Sequence, residues 1–86
     1  MSESPIPLFL DRLGAKKPAR VVRVNTFENA LPVARQLEEI GFIPGERVQV
    51  LSKALFGGDP LVVRVGVSTF ALRKAEAQLI EIVPER

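Results

Sequence analysis

The sequence contains no histidine, cysteine, tryptophan or tyrosine. Histidine and cysteine are the commonest protein ligands of transition metals, and histidine is also the commonest general base. Without a histidine, none of the serines can be activated by a serine–histidine pair. Without a cysteine, the chain can form no disulfide, which is usual for proteins of reducing compartments. These absences argue against an enzyme, and the sequence predicts no catalytic residue.

Carboxylates are the only strong metal ligands that remain, and alone they favour hard cations or weak, water-rich binding. Glu38 and Glu39 are adjacent on a predicted helix, where consecutive side chains point about 100° apart. They are therefore expected to be solvated charges that capture a divalent cation weakly at most. The sequence predicts no metal site and no cofactor.

Long apolar runs are also missing, since none approaches the roughly 20 residues that a membrane span needs. The first five residues lack the basic and apolar regions of a signal peptide, so we expect a cytoplasmic protein. The 86 residues are predicted to form one domain over residues 1–86, with a loose lead-in over residues 1–7. A chain of this size buries only about 60 to 65% of its unfolded surface, which leaves no room for a deep cleft.

The clearest local pattern lies in residues 37–50, which read as a helix end, a tight turn and a strand. Leu37 belongs to an apolar helical face, and Gly41 suits the left-handed conformation found just past a helix. Pro44 and Gly45 suit the two central positions of a type II turn. Beyond this turn the apolar period changes to two, which predicts a strand leaving directly from the helix corner.

Alternating apolar residues predict five short strands in all, and the fold class is therefore mainly β. The strands are expected at residues 19–24, 47–54, 61–67, 69–72 and 79–83. A short helix ending at Ile40 is inserted between the first two strands, and an N-terminal helical turn is expected within residues 8–13. Such strands without a long crossover describe a small closed or nearly closed barrel.

A glycine-rich loop separates the second and third predicted strands. Gly57 and Gly58 permit positive φ, and Asp59 before Pro60 favours extended backbone, so the segment is predicted to be a hairpin turn. A phosphate-binding loop would require a lysine and a helix after the glycines, whereas here a strand follows.

Several of these features occur together in one known family. The residues that carry the resemblance are Leu37, Gly41, Phe42, Pro44, Gly45, Gly57–Leu61 and Ala71–Arg73. They resemble the bacterial ferrous iron transport protein A family (FeoA), over residues 8–83. The resemblance implies an SH3-like β-barrel and a cytoplasmic protein that assists the FeoB iron permease of the inner membrane, with the permease's cytosolic G domain as the expected partner. Because histidine and cysteine are absent, the chain itself is not expected to carry iron.

Small barrels of this kind mostly present a groove or an edge to another polypeptide. Because Trp and Tyr are absent, the proline-rich peptide mode of SH3 domains is not favoured here. The candidate partner surface consists of Phe9, Leu51, Leu55, Phe56 and Asp59. Each apolar member could instead belong to the core, whereas a contiguous exposed set would indicate a partner surface or a weak homodimer.

Nucleic-acid binding is the alternative function, because basic residues crowd the first third of the chain. They are Arg12, Lys16, Lys17, Arg20 and Arg23. These residues could equally be solvated loop and strand-edge charges, and exposed aromatics for base stacking are missing, so no nucleic acid is expected. A related alternative is a stand-alone relative of the SH3-like domain of iron-dependent repressors, although no helix-turn-helix precedes it to read DNA.

Overall fold

The computed structural model describes residues 6–27, 29–54 and 57–85. Within them the elements are β1 (Leu8–Phe9), a 3₁₀ helix (Leu10–Arg12), β2 (Pro18–Val24), α1 (Leu31–Glu39), β3 (Arg47–Lys53), β4 (Leu61–Val65), β5 (Ser68–Leu72), α2 (Lys74–Ala77) and β6 (Ile80–Pro84). The strands form one six-stranded sheet in the order β1-β6-β2-β3-β4-β5. Every pairing is antiparallel. The mainly β architecture is therefore confirmed.

The number of strands differs from the prediction, because the N-terminal segment contributes a sixth strand. Leu8 and Phe9 pair with Ile82 and Glu81 of β6, so the helical turn is confined to Leu10–Arg12. Strand β6 would otherwise be an edge with unpaired backbone groups, and a short extended segment after Pro7 satisfies them.

The β4–β5 connection also differs from the prediction at Val67. That residue was expected on the inner face of a strand, but β4 ends at Val65 and Val67 is 94% exposed. Val65 lies opposite Ser68, so Gly66 and Val67 are the two central residues of a tight hairpin. Gly66 has a φ of 58°, which matches the glycine that a type II′ turn requires at its first central position.

The core lies between the curled sheet and the helices, and its buried side chains are aliphatic apart from one phenylalanine. The largest fully buried ones are Phe42, Leu10, Leu61, Ile80, Val48, Val50 and Val63. Helix α1 contributes Ala34 and Leu37. Full burial of a side chain as large as Phe42 stabilises the fold by about 1.5 to 3 kcal/mol.

The end of α1 closes in a Schellman arrangement around a glycine. The Gly41 N–H donates to the Glu38 carbonyl at 3.1 Å, and the Phe42 N–H donates to the Leu37 carbonyl at 3.0 Å. Gly41 has a φ of 128°, a conformation that residues with a Cβ rarely adopt. The chain then reverses directly into the core, because Phe42 is the next residue.

A second turn follows at once and joins this corner to β2. The Glu46 N–H donates to the Ile43 carbonyl at 3.1 Å, and Gly45 has a φ of 88°. The Gly45 N–H donates to the Val21 carbonyl at 2.8 Å, and the Val21 N–H donates to the Glu46 carbonyl at 2.9 Å. The turn therefore extends the β2–β3 ladder and fixes where β3 begins.

We predict that Gly41→Ala lowers the free energy of unfolding by about 1 to 3 kcal/mol, because alanine is strained at this φ. The space itself is sufficient, since an added Cβ would lie 3.6 Å from Val65 Cγ1. Gly14→Ala is the matched control, because its nearest neighbour is the flexible Lys17 side chain at 3.4 Å. Chemical denaturation of both variants measures the difference, and equal midpoints would contradict the role assigned to Gly41.

Candidate partner-binding surface

One end of the barrel gathers the 3₁₀ helix, α2 and the β3–β4 hairpin. Lys53 at the end of β3 donates from Nζ to the Asp11 carbonyl at 3.2 Å. The Lys74 N–H at the start of α2 donates to Asp59 Oδ1 at 3.0 Å. Helix α2 also packs against the 3₁₀ helix. We call this region the hairpin end.

The structure places the predicted partner residues in different surroundings. Phe9 is half-buried on β1, and Leu51 is half-buried on β3, where the register with β4 shifts between Val50 and Ser52. Leu55 and Phe56 lie outside the described residues. The bond from Lys53 to the Asp11 carbonyl brings the 3₁₀ helix next to the end of β3, and Phe9 directly precedes that helix.

Asp59 has a structural contact that the sequence did not reveal. Its side chain is at the surface, and its carboxylate accepts the first free N–H of α2, as N-terminal capping residues do. Gly57 and Gly58 precede it with φ values of 74° and 67°. Two successive positive φ values favour glycine, which adopts this region without the clash that a Cβ brings.

Exposed apolar residues at other positions were missed by the sequence reasoning. They are Ile6, Phe27, Leu31, Ile43, Val67 and Val83. Phe27 precedes α1 and is 61% exposed, and Ile43 and Val67 lie in the two turns at the end opposite the hairpin end. The exposure of Ile43 and Val67 gave no periodicity signal, because residues in turns have no strand or helix face from which burial could be inferred.

Two shallow grooves lie on the described surface. One of about 320 Å³ separates α1 from β5 and α2, and Leu37, Ile40 and Phe70 line it. The other, of about 230 Å³, lies beside β1 and β6. Each groove contains one carboxylate, Glu76 or Glu81. Glu76 accepts the backbone N–H of Arg73 at 2.8 Å, and Glu81 accepts a bond from Arg23 Nη1 at 2.7 Å. Neither groove offers the pair of free acid–base groups that hydrolytic chemistry needs.

The predicted basic region does not form a continuous positive surface, because its arginines are matched by carboxylates. Arg20 Nε and Arg47 Nε lie 2.7 Å and 3.2 Å from the two oxygens of Glu85. Arg23 Nη1 lies 2.7 Å from Glu81 Oε1. Arg20 lies directly opposite Arg47 across β2 and β3, so Glu85 separates two like charges that would otherwise repel.

Metal ligands are not gathered anywhere in the described part of the chain. No group of three or more histidine, cysteine, aspartate or glutamate residues there is placed to hold an ion. Glu38 and Glu39 are both exposed on α1. No helix among the described residues is long and apolar enough to cross a membrane.

A small antiparallel barrel with open surface grooves and one inserted helix has the architecture of the SH3-like domains. Residues 9–84 match the model of the FeoA domain. The chain therefore belongs to the FeoA family. No curated protein sequence matches it significantly.

Solved structures agree with this assignment. FeoA from Stenotrophomonas maltophilia, complexed with zinc and described as an SH3 domain protein, is 36% identical, with a TM-score of 0.81, over 92% of this chain and 96% of that one. Iron(II) transport protein A from Clostridium thermocellum is 35% identical, with a TM-score of 0.78, over 90% of this chain and 45% of that one. IdeR of T. acidophilum, 19% identical with a TM-score of 0.74 over 99% of this chain and 37% of that one, shares the fold alone.

We predict that Glu85→Gln destabilises the protein by no more than about 1 kcal/mol at low salt, because it leaves Arg20 facing Arg47 while both remain partly solvated. The effect should shrink as added salt screens the arginines. Glu81→Gln, which releases only Arg23, is the control and should show a weaker salt dependence. Thermal melts over a salt series measure this, and a loss that is independent of salt would contradict the electrostatic explanation.

Proposed function

We propose that this protein is a cytoplasmic accessory factor of ferrous iron uptake that regulates or assists a FeoB-type permease of the inner membrane by binding its cytosolic G domain. The FeoA domain over residues 9–84 is the observation that carries the proposal. The similar Stenotrophomonas maltophilia protein is itself described as a candidate ferrous iron transport activating factor.

The chemistry of the described residues supports a binding role rather than catalysis. The chain has no histidine or cysteine. The carboxylate of each groove already accepts a hydrogen bond, Glu76 from the Arg73 backbone and Glu81 from the Arg23 side chain. What the surface offers instead is apolar side chains, turns and strand edges, which are the features that small barrels use to bind other polypeptides.

The hairpin end is the docking surface that we propose for the permease. It combines the half-buried Phe9 and Leu51 with the exposed Asp59, and the hairpin also carries Leu55 and Phe56. Its backbone is supported by the contacts from Lys53 to the 3₁₀ helix and from α2 to Asp59. A hairpin supported in this way can bury apolar side chains against a partner with little ordering cost.

We predict that Phe56→Asp weakens binding to the G domain at least tenfold while leaving the fold intact, because a carboxylate would have to be desolvated at the interface. Val67→Asp is the matched control, since it makes the same chemical change at the opposite end of the barrel, where Val67 is already exposed. Titration calorimetry with the purified G domain, together with circular dichroism of both variants, gives the comparison.

Three outcomes would count against the proposal. An unfolded Phe56→Asp variant would place Phe56 in the core, and a folded variant with unchanged affinity would place the docking surface elsewhere. A wild-type protein that does not bind the G domain would overturn the proposed partner. Double-stranded nucleic acid in the same titration tests the alternative function, which the pairing of Arg20 and Arg23 with carboxylates does not favour.

We also predict that the isolated protein binds ferrous iron no more tightly than about millimolar, because only scattered carboxylates are available as ligands. Anaerobic calorimetry measures this directly, and a variant carrying Glu38→Gln and Glu39→Gln shows whether any weak binding belongs to that pair. Stoichiometric binding at micromolar concentration would show that the protein carries iron itself and would contradict the accessory role.

A further inference from the structure

The two edges of the sheet differ in how they are protected. Strand β1 forms one edge and has only two residues, Leu8 and Phe9, with Pro7 just before it. Strand β5 forms the other edge and has five residues, Ser68–Leu72, with no charge and no proline. Proteins usually protect an edge with charges, prolines or very short strands, because an open edge pairs with other chains. Only the β1 edge has such protection.

The backbone of β5 presents its free groups at Thr69 and Ala71. The Gly66 N–H, just after β4, donates to the Arg47 carbonyl on β3 at 3.0 Å. Successive residues of a strand direct their backbone groups to opposite sides. The even-numbered residues of β4 therefore bond to β3, and the odd-numbered ones bond to β5. By the alternation of an antiparallel ladder, Ser68, Phe70 and Leu72 then bond to β4, whereas Thr69 and Ala71 point away. No described residue forms a backbone hydrogen bond with the outward groups of these two residues.

We propose that this edge is a self-association surface, on which β5 of a second copy of the chain pairs antiparallel about a two-fold axis at Phe70. In this register Thr69 of each copy lies opposite Ala71 of the other and exchanges both backbone hydrogen bonds with it. The same surface is used by both subunits, as two-fold symmetry requires. The two sheets then join into one.

Side chains at this edge fit a second copy. The two Phe70 rings would meet as a non-hydrogen-bonded pair, in which cross-strand side chains approach most closely. Phe70 is half-buried and lines the groove of about 320 Å³, and Leu37 and Ile40 of α1 form another part of its wall. Against this wall of mixed polarity, Leu37 and Ile40 provide apolar contacts for the second ring, and aromatic pairs add to the stability of such contacts.

Charge complementarity also favours a second copy over an unrelated strand. The two-fold register places Arg73 of one copy opposite Val67 of the other, beside Gly66. The Glu46 carboxylate lies against that turn, with Oε1 3.3 Å from the site that a Gly66 Cβ would take. In the described part of the chain Glu46 has no ion pair of its own. Symmetry therefore supplies two Arg73–Glu46 contacts, one at each end of the paired strands.

The pairing involves one short strand from each copy, so we expect a weak, concentration-dependent dimer. Sedimentation velocity over a concentration series measures the association. Hydrogen exchange adds a residue-level readout, because the amides of Thr69 and Ala71 should become protected only as the dimer forms, whereas the Phe70 amide is protected throughout. A protein that stays monomeric at every concentration would overturn the proposal. The β5 edge would then be available to a strand of a different protein.

Two sets of variants test the register. Ala71→Pro removes one outward N–H and no bond to β4, so it should weaken the dimer at least tenfold, whereas Ala71→Ser keeps the amide and should associate normally.

Arg73→Glu and Glu46→Arg should each weaken association about two- to fivefold, as expected of exposed ion pairs, and the double variant should restore it. If Ala71→Pro fails to fold, the Arg73→Glu and Glu46→Arg variants and their combination test the register by themselves. Dimerisation that is unchanged in the charge variants, or not restored in the double variant, would contradict this register.

Discussion

The helix-ending corner at Gly41 and Phe42 is the constraint on which the rest of the barrel depends. Phe42 is fully buried, and its N–H bonds to Leu37 one turn earlier, so the end of α1 and the centre of the core are fixed together. In the following turn, Gly45 and Glu46 bond to the carbonyl and the N–H of Val21 on β2. Because β4 and β5 are built on β3 by hairpins, the register set at this corner passes through half of the sheet.

Sequence patterns were sufficient where local backbone geometry sets the pattern. The apolar period of α1 and the glycine after it reflect contacts within a few residues, and the alternation of β2, β3 and β6 follows from the two-residue repeat of any strand. Patterns failed where the partner is distant. Leu8 becomes a strand residue only because β6, at the other end of the chain, needs a partner. Val67 looked like a strand residue because its alternation continues past Gly66, whose positive φ ends the strand.

The candidate surface was less predictable than the fold, because exposure and pairing are properties of the folded molecule. Residue types marked Leu51 and Asp59 as candidates, but only the structure shows that Leu51 lies at a register shift and that Asp59 caps α2. The basic cluster in the first third of the sequence is likewise offset by Glu81 and Glu85 from the last strand and its end. Charge counted along a segment therefore overestimates the positive surface that a folded barrel presents.

In a chain without histidine, cysteine, tryptophan or tyrosine, the means of recognition that remain are backbone edges, aliphatic and phenylalanine side chains, and simple charges. Both surfaces proposed here use these means, and α2 links them. Asp59 of the hairpin holds the Lys74 N–H, and Glu76 holds the Arg73 N–H at the end of β5. That helix has only four residues, too few to be stable through its own hydrogen bonds. Its position therefore depends on these two carboxylates and on its packing against the 3₁₀ helix.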